Sequence, residues 1–315
     1  MPLSSGAPNA AVRLGIDLGG TKTEIIALDG RGVEIYRKRI ATDPRRYEGI
    51  VAALADLVAE AEAALGRQGT VGVGIPGAIS ARTGGVKNAN TTVLNGHFLD
   101  RDLGQVLGRE VRCMNDANCL ALSEAVDGAG AGRRVVFAAI LGTGCGAGLA
   151  LDGRPWQGAN LVAGEWGHNP LPWMSAEEFP GPACWCGKAG CIERWLSGTG
   201  FAADYARATG AHGREAPKSE RIVALSRQGD GAARAALERY ANRLARALAH
   251  AINVVDPDVV VLGGGMSNVD ELYELVPPQL PAFVFGGEAD TPILRSKHGD
   301  SSGVRGAAWL WPQSS

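Results

Sequence analysis

"VRLGIDLGGTKTEIIALDGRG", Val12 to Gly32, and "VVFAAILGTGCGAGLALDGRP", Val135 to Pro155, decide the fold, because each sets a glycine turn between apolar strands. In the first, Val12 to Ile16 is a short strand, Gly19 and Gly20 lie in the turn, and Glu24 to Leu28 is the return. In the second, Val135 to Leu141 is the strand, Gly142 to Gly148 the turn, and Leu149 to Leu151 the return. At a constant offset of 123 residues the two share Leu18/Leu141, Gly19/Gly142, Ala27/Ala150, Leu28/Leu151, Asp29/Asp152, Gly30/Gly153 and Arg31/Arg154. Either alone reads as an ordinary hairpin whose glycines serve the turn. As a pair they read as an internal duplication, able to set two groups of backbone N–H donors around phosphates where side-chain bulk is unwelcome. Competing phosphate motifs fail on the same residues. "GGTKT" lacks the spacing of a Walker loop and leads into a strand. "GTGCGA", Gly142 to Ala147, has the letters of a dinucleotide turn but also opens a strand instead of a helix.

Working outward, 315 residues with 45% hydrophobic content can bury more than one core, so two lobes are expected. A net charge of −2 without charge blocks gives no electrostatic footprint for nucleic acid or an anionic membrane. No apolar run reaches the roughly 20 residues of a membrane helix, and "MPLSSGAPNAAV" lacks the features of a signal peptide. A cytoplasmic protein is the expectation. In that reducing setting Cys113, Cys119 and Cys145, each alone among apolar or glycine residues, read as packing residues.

Helices and strands alternate along the chain. Tyr47 to Leu65 carries an apolar stripe at helical spacing, and Thr70 to Gly77 is a buried strand stopped at Pro76-Gly77. "EVRCMNDANCLALSEAV" runs from strand to helix with its turn at Asn115-Asp116. Carboxyl ends of strands carry ligands in open α/β sheets, which places Asp116 well for a general base; a helix cap is the plain alternative. Ala232 to Val254 is a long helix, Val259 to Leu262 a buried strand, and Gly263, Gly264 and Gly265 follow it. Ser301 and Ser302 are possible caps for a short C-terminal helix expected to pack back on the first lobe. This plan is similar to the two-lobed actin-like ATPase (ribonuclease H-like) α/β fold, with 1–117 plus 299–315 as a small lobe and 118–298 as a large one.

"GIDLGGTK", "GVGIPG", "NDANC", "LGTGCGAG", "GEWGHNPL" and "CWCGKAGCIE" together resemble the ROK family of sugar kinases and repressors, from about residue 12 almost to the end. "KNANTTVLNG", "GEWGHNPLPW" and "KHGDSSGVRGAAWLWP" look closest to its bacterial fructokinase/mannokinase branch. The resemblance implies transfer of the ATP γ-phosphoryl group to a primary hydroxyl of a hexose, fructose before mannose, with Asp116 accepting the proton. N-acetylglucosamine and glucose are the alternative acceptors. It implies that Gly77, Asn90, Asn115, Glu165, His168 and Glu193 meet the sugar. Gly19, Gly20, Thr21, Lys22, Gly142, Thr143 and Gly144 would hold phosphates, Gly263 to Gly265 would admit the adenosine, and Asp17 would lie near Mg2+. A homodimer is usual for such kinases.

Cys184-x-Cys186-x4-Cys191 supplies three thiolates, one short of a closed tetrahedral zinc site. His168, just upstream in "GEWGHNP", is the best fourth ligand; His97, His212, His250 and His298 sit in polar, helical or distant segments, and the family's zinc motif has its histidine there. A Cys186-Cys191 disulfide or free thiols are the alternatives; in a cytoplasmic protein zinc is favoured. Such a zinc is structural and staples the loop bearing Glu165, His168 and Glu193. Two other function classes fit less well. A sugar-responsive repressor needs a DNA-binding module, and 11 residues precede Val12. A zinc-knuckle interaction protein has no use for Asp116 and two glycine hairpins.

Overall fold

The computed structural model describes residues 12–211 and 216–311. His212 and the outermost residues of the expected small lobe lie outside the described residues.

Strands β1 (Val12–Leu18), β2 (Lys22–Leu28) and β3 (Glu34–Ala41) form an antiparallel meander. Helix α1 (Tyr47–Leu65) crosses over to β4 (Gly69–Ile75), which runs parallel to β1. The short β5 (Ala78–Ile79) and β6 (Val86–Lys87) pair as a separate ribbon, and α2 (Leu99–Leu107) leads to β7 (Val111–Asn115), parallel to β4. The sheet order is β3-β2-β1-β4-β7. After α3 (Asp116–Val126) the pattern repeats with β8 (Val135–Leu141), β9 (Cys145–Leu151) and β10 (Arg154–Pro155). Helices α4 (Glu193–Leu196), α5 (Gly198–Thr209), α6 (Ser219–Arg227) and α7 (Gly231–Val255) precede β11 (Val259–Gly263), which is parallel to β8. Helix α8 (Leu272–Leu275), β12 (Ile293–Arg295) and α9 (Ser302–Ala308) complete the chain, and the second order is β10-β9-β8-β11-β12. Order and directions match the first sheet, so the duplicated hairpins mark a duplicated sheet.

Each sheet has its own core. Leu54, Leu57 and Val58 of α1 recur at helical spacing and bury against Ile16 and Val73, and Gly66 in the left-handed region (φ 66°) ends the helix. Tyr240, Leu244 and Leu248 of α7 pack in the other core with Phe137 and Leu262.

Helices α3 and α9 fill the space between sheets, and glycine permits it. Gly15 of β1 and Gly72 of β4 are cross-strand neighbours. A Cβ on Gly15 would stand 2.2 Å from Val304 O and one on Gly72 1.9 Å from Ala307 O, so α9 rests on bare backbone. Gly306 lies equally close to α3, where a Cβ would meet Cys119 O at 1.7 Å. The C-terminal helix therefore packs on the first sheet, as its apolar sequence suggests.

Two local expectations need correction. The second turn is Gly142 to Gly144 alone, since Leu141 pairs with Cys145, and Gly146 and Gly148 belong to β9. Gly148 is there because α3 presses on β9: its Cβ would lie 2.2 Å from Ala117 O. Neither Ser301 nor Ser302 caps α9. Ser302 instead donates to the fully buried Glu124 at 2.6 Å, tying α9 to α3. Among the described residues no helix is long and apolar enough to cross a membrane.

Candidate active site

Asp116 opens α3 at the carboxyl end of β7, facing a cleft of ≈ 830 Å³. Gly77, Asn88 and Asn90 line it from the first half, and the Gly142–Gly144 turn, Glu165, His168 and Glu193 from the second. Asp116 Oδ1 accepts the Ala117 N–H at 2.8 Å. Burial, and then repulsion from Glu165, push its carboxyl up to about 6 against that bond. Asp17, at the end of β1, is likewise raised to about 6 by burial and then by Asp116 and Glu24, with Lys22 and Arg39 opposing. A carboxylate that holds its proton near neutrality is suited to taking one from an alcohol.

Asn115 holds that turn. Its Oδ1 accepts from Ala117 N (2.9 Å) and Asn118 N (3.3 Å), and its Nδ2 donates to Gly77 O (3.0 Å). Its amide thus takes the capping role open in the sequence, and the residue also borders the cleft. Asn115→Ala is expected to cost about 1–2 kcal/mol of stability in urea unfolding. Gly77 (φ 148°) lets the 87–89 backbone pass, since a Cβ would sit 2.7 Å from Lys87 O, and this carries Asn88 and Asn90 to the cleft.

The "GEWGH" turn is shaped by its glycines. Cβ atoms on Gly164 and Gly167 would stand 2.1 Å from Ala147 O and 1.9 Å from Cys145 O, so the turn lies flat on β9. Trp166 is buried edge-on to Phe137, leaving Glu165 and His168 at the cleft. Glu193 Oε2 accepts the Cys145 N–H at 3.1 Å and its Oε1 accepts Trp185 Nε1 at 2.7 Å. Trp185 also stands edge-on to His168 at 4.8 Å. Sequence reasoning missed Trp185, which occupies the unspecified position of Cys-x-Cys and carries no spacing signal.

His168, Cys184, Cys186 and Cys191 offer ligand atoms all within 4.8 Å of one another. Cys184 Sγ lies 3.7 Å from His168 Nδ1, and Cys186 Sγ 3.6 Å from Cys191 Sγ. A tetrahedron with Zn–S bonds of about 2.3 Å has edges of about 3.7 Å, so the donor set and its spacing are compatible with zinc. Burial and then the neighbouring thiols push Cys191 up to about 12, whereas the Lys188 N–H draws Cys186 down. A cation is what would let all three ionise together. Nδ1 faces the sulfur cluster, which leaves Nε2 available to the cleft.

A second cavity of ≈ 700 Å³ shares Gly142 and Thr143 with the first and is bordered by Gly265, Lys218 and Arg227. Gly265 is open, but Gly263 packs on Leu120, and Gly264 (φ 79°) packs on Leu141 and the Gly142 N–H. Gly19, Gly20, Thr21 and Lys22 form the tip of the first hairpin and line neither cavity.

The chain matches the ROK family over residues 13–314. It is 41% identical over 300 residues to an N-acetyl-D-glucosamine kinase from Pectobacterium carotovorum, covering 94% of this chain and 97% of that one. It superimposes on a ROK hexokinase from Thermus thermophilus with a TM-score of 0.83 at 31% identity, covering 95% and 97% of the two chains. A ROK family glucokinase from Streptomyces griseus, solved with glucose and AMPPNP, gives 0.78 at 28% identity over 96% and 100%. Two sheets of one topology, a carboxylate at the joint between them and a Cys3His cluster beside the cleft are thus found in a chain whose relatives match it almost end to end: the protein is a member of the ROK family, with the family's actin-like ATPase fold.

Proposed function

We propose that this protein is an ATP-dependent sugar kinase that phosphorylates a primary hydroxyl of N-acetyl-D-glucosamine. The observation that carries the reading is Asp116, raised to about 6, on the cleft that Glu165, His168 and Glu193 also line. Glu193 and His168 would accept or donate hydrogen bonds to ring hydroxyls, with Asn90 opposite. The sugar oxygen attacks the γ-phosphorus, its proton passes to Asp116, and the bond from phosphorus to the ADP oxygen breaks. Gly142 and Thr143, common to both cavities, lie where a phosphoryl group would pass from nucleotide to sugar. Mg2+ would neutralise phosphate charge, with Asp17 the carboxylate best placed to hold it through water. Zinc on His168, Cys184, Cys186 and Cys191 would be structural. Closure of the two lobes would bring the Gly19–Lys22 hairpin to the phosphates and exclude water. The homodimer, the cytoplasmic setting and the lobe boundaries implied by the resemblance belong to the same reading.

Fructose, the sequence expectation, gives way here to the alternative. The relative from Pectobacterium carotovorum is an N-acetyl-D-glucosamine kinase at 41% identity, and the Streptomyces griseus glucokinase was solved with glucose, also an aldohexose. Coupled ADP detection with N-acetylglucosamine, glucose, mannose and fructose tests it. N-acetylglucosamine should exceed the others by about tenfold or more in kcat/KM. A fructose preference would reinstate the branch assignment, and absence of turnover with every sugar would remove the kinase reading.

A further inference from the structure

In each glycine turn the first N–H closes the turn, on Lys22 O and Gly144 O respectively, and carbonyls are tied to neighbouring elements while the next N–H groups are not. In the first, Gly19 O accepts the Thr42 hydroxyl at 2.8 Å, and Thr21 O accepts the Thr42 N–H at 3.0 Å. Because the Thr42 proton goes to Gly19, the 2.7 Å contact between Thr23 and Thr42 hydroxyls has Thr23 as donor, and Thr23 is buried. In the second turn Gly142 O accepts the Gly198 N–H at 2.7 Å, Thr143 O the Thr199 hydroxyl at 3.0 Å, and Gly144 O the Gly142 N–H at 3.0 Å. The N–H groups of Gly20, Thr21, Thr143 and Gly144 find no acceptor among the described residues.

In a trans peptide the C=O and the following N–H point in opposite directions. Tying Gly19 O back to Thr42 therefore turns the Gly20 N–H away from β3, and tying Thr143 O to Thr199 turns the Gly144 N–H the other way. A glycine peptide released from such a tie is free to flip, since glycine accepts either backbone orientation at little cost. The two ties come from different elements, the residue after β3 in one half and the first turn of α5 in the other. They are not part of the duplicated hairpins themselves.

We propose that Thr42 is a positioning residue for the nucleotide: its hydroxyl latches the Gly19–Gly20 peptide so that the Gly20 N–H is preset to receive a phosphate oxygen. The proposal rests on the kinase reading. Thr42→Val keeps the shape and the backbone N–H while losing the hydroxyl, and Thr42→Ser keeps the hydroxyl. ATP·Mg affinity is measured by calorimetry, sugar affinity by tryptophan fluorescence, and KM for each by ADP detection. Thr42→Val is expected to weaken ATP binding and raise its KM by about tenfold, the scale of one hydrogen bond. Sugar affinity should stay within about twofold, and Thr42→Ser should return ATP binding to within about threefold of wild type. Should the valine variant not fold, Thr42→Ala is read the same way. Unchanged ATP affinity in the valine or alanine variant would overturn the latch. So would a loss shared equally between ATP and sugar, or a serine variant no better than valine. A wild-type protein that binds ATP but phosphorylates no sugar would sink the kinase reading while the calorimetric comparison still judges the latch.

Discussion

Asp116→Asn is expected to lower kcat by roughly 10²–10⁴-fold, the usual contribution of a positioned base, while leaving sugar and ATP affinity within a few-fold. Asparagine is isosteric, and its carbonyl oxygen can still accept the Ala117 N–H that Asp116 Oδ1 accepts at 2.8 Å. The variant therefore keeps the turn and loses only the capacity to take a proton. The same carboxyl sets a pH dependence. Its folded value is raised to about 6 by burial and by Glu165, and the ionised form is the base, so activity is present above that value and lost below it. Wild-type kcat/KM should be level near pH 7–8 and fall about tenfold per unit below pH 6. A slope of two would bring in Asp17, raised to the same value. Retained turnover in Asp116→Asn would remove this residue as the base.

Cys191→Ser, or removal of bound metal by a chelator, is expected to raise the sugar KM strongly and leave ATP affinity nearly unchanged. Cys191 is buried, two residues before Glu193, and its thiol approaches the His168 carbonyl at 3.6 Å. Backbone bonds from Leu171 N to Gly190 O and from Ile192 N to Asn169 O, both 2.9 Å, join the two arms of the loop, but they do not orient side chains. Losing one hydrogen bond to a charged group costs about 1.5–3 kcal/mol, or about 10- to 150-fold in affinity. Metal content by elemental analysis, alongside sugar binding with and without chelator, checks this. Full sugar affinity in metal-free protein would mean that the cluster does not shape the pocket.

The parts legible in the sequence were those written in short spacings. The offset of 123 exposed the duplication, apolar periodicity gave α1 its bounds of Tyr47 and Leu65, and the cysteine spacing pointed to the Cys3His group. What was misread depends on contacts between distant segments. Gly146 and Gly148 looked like turn residues, but a glycine in a strand beneath a closely packed helix is spelled the same way. The bond from Asn115 to Gly77 O likewise joins two separate strand ends, which no local spacing announces. Thr42 meets Gly19 across 23 residues, and Trp185 meets Glu193 eight residues on from the unspecified position of Cys-x-Cys, so neither carries a spacing signal. The choice of sugar was least accessible, because it turns on a few contacts inside a cleft whose motif residues the branches share.

The paired glycines of β1 and β4 also set a timetable. Gly15 and Gly72 leave a groove on the first sheet that, among the described residues, α9 and Leu310 just after it fill, with Val304 and Ala307 against their bare backbone. On a ribosome α9 emerges roughly 230 residues after β4, a delay of ~12–45 s at about 5–20 residues per second. Over that interval the backbone of Gly15 and Gly72 lacks its native cover, so the packing of this face, begun by α3, is completed by the last helix to be made.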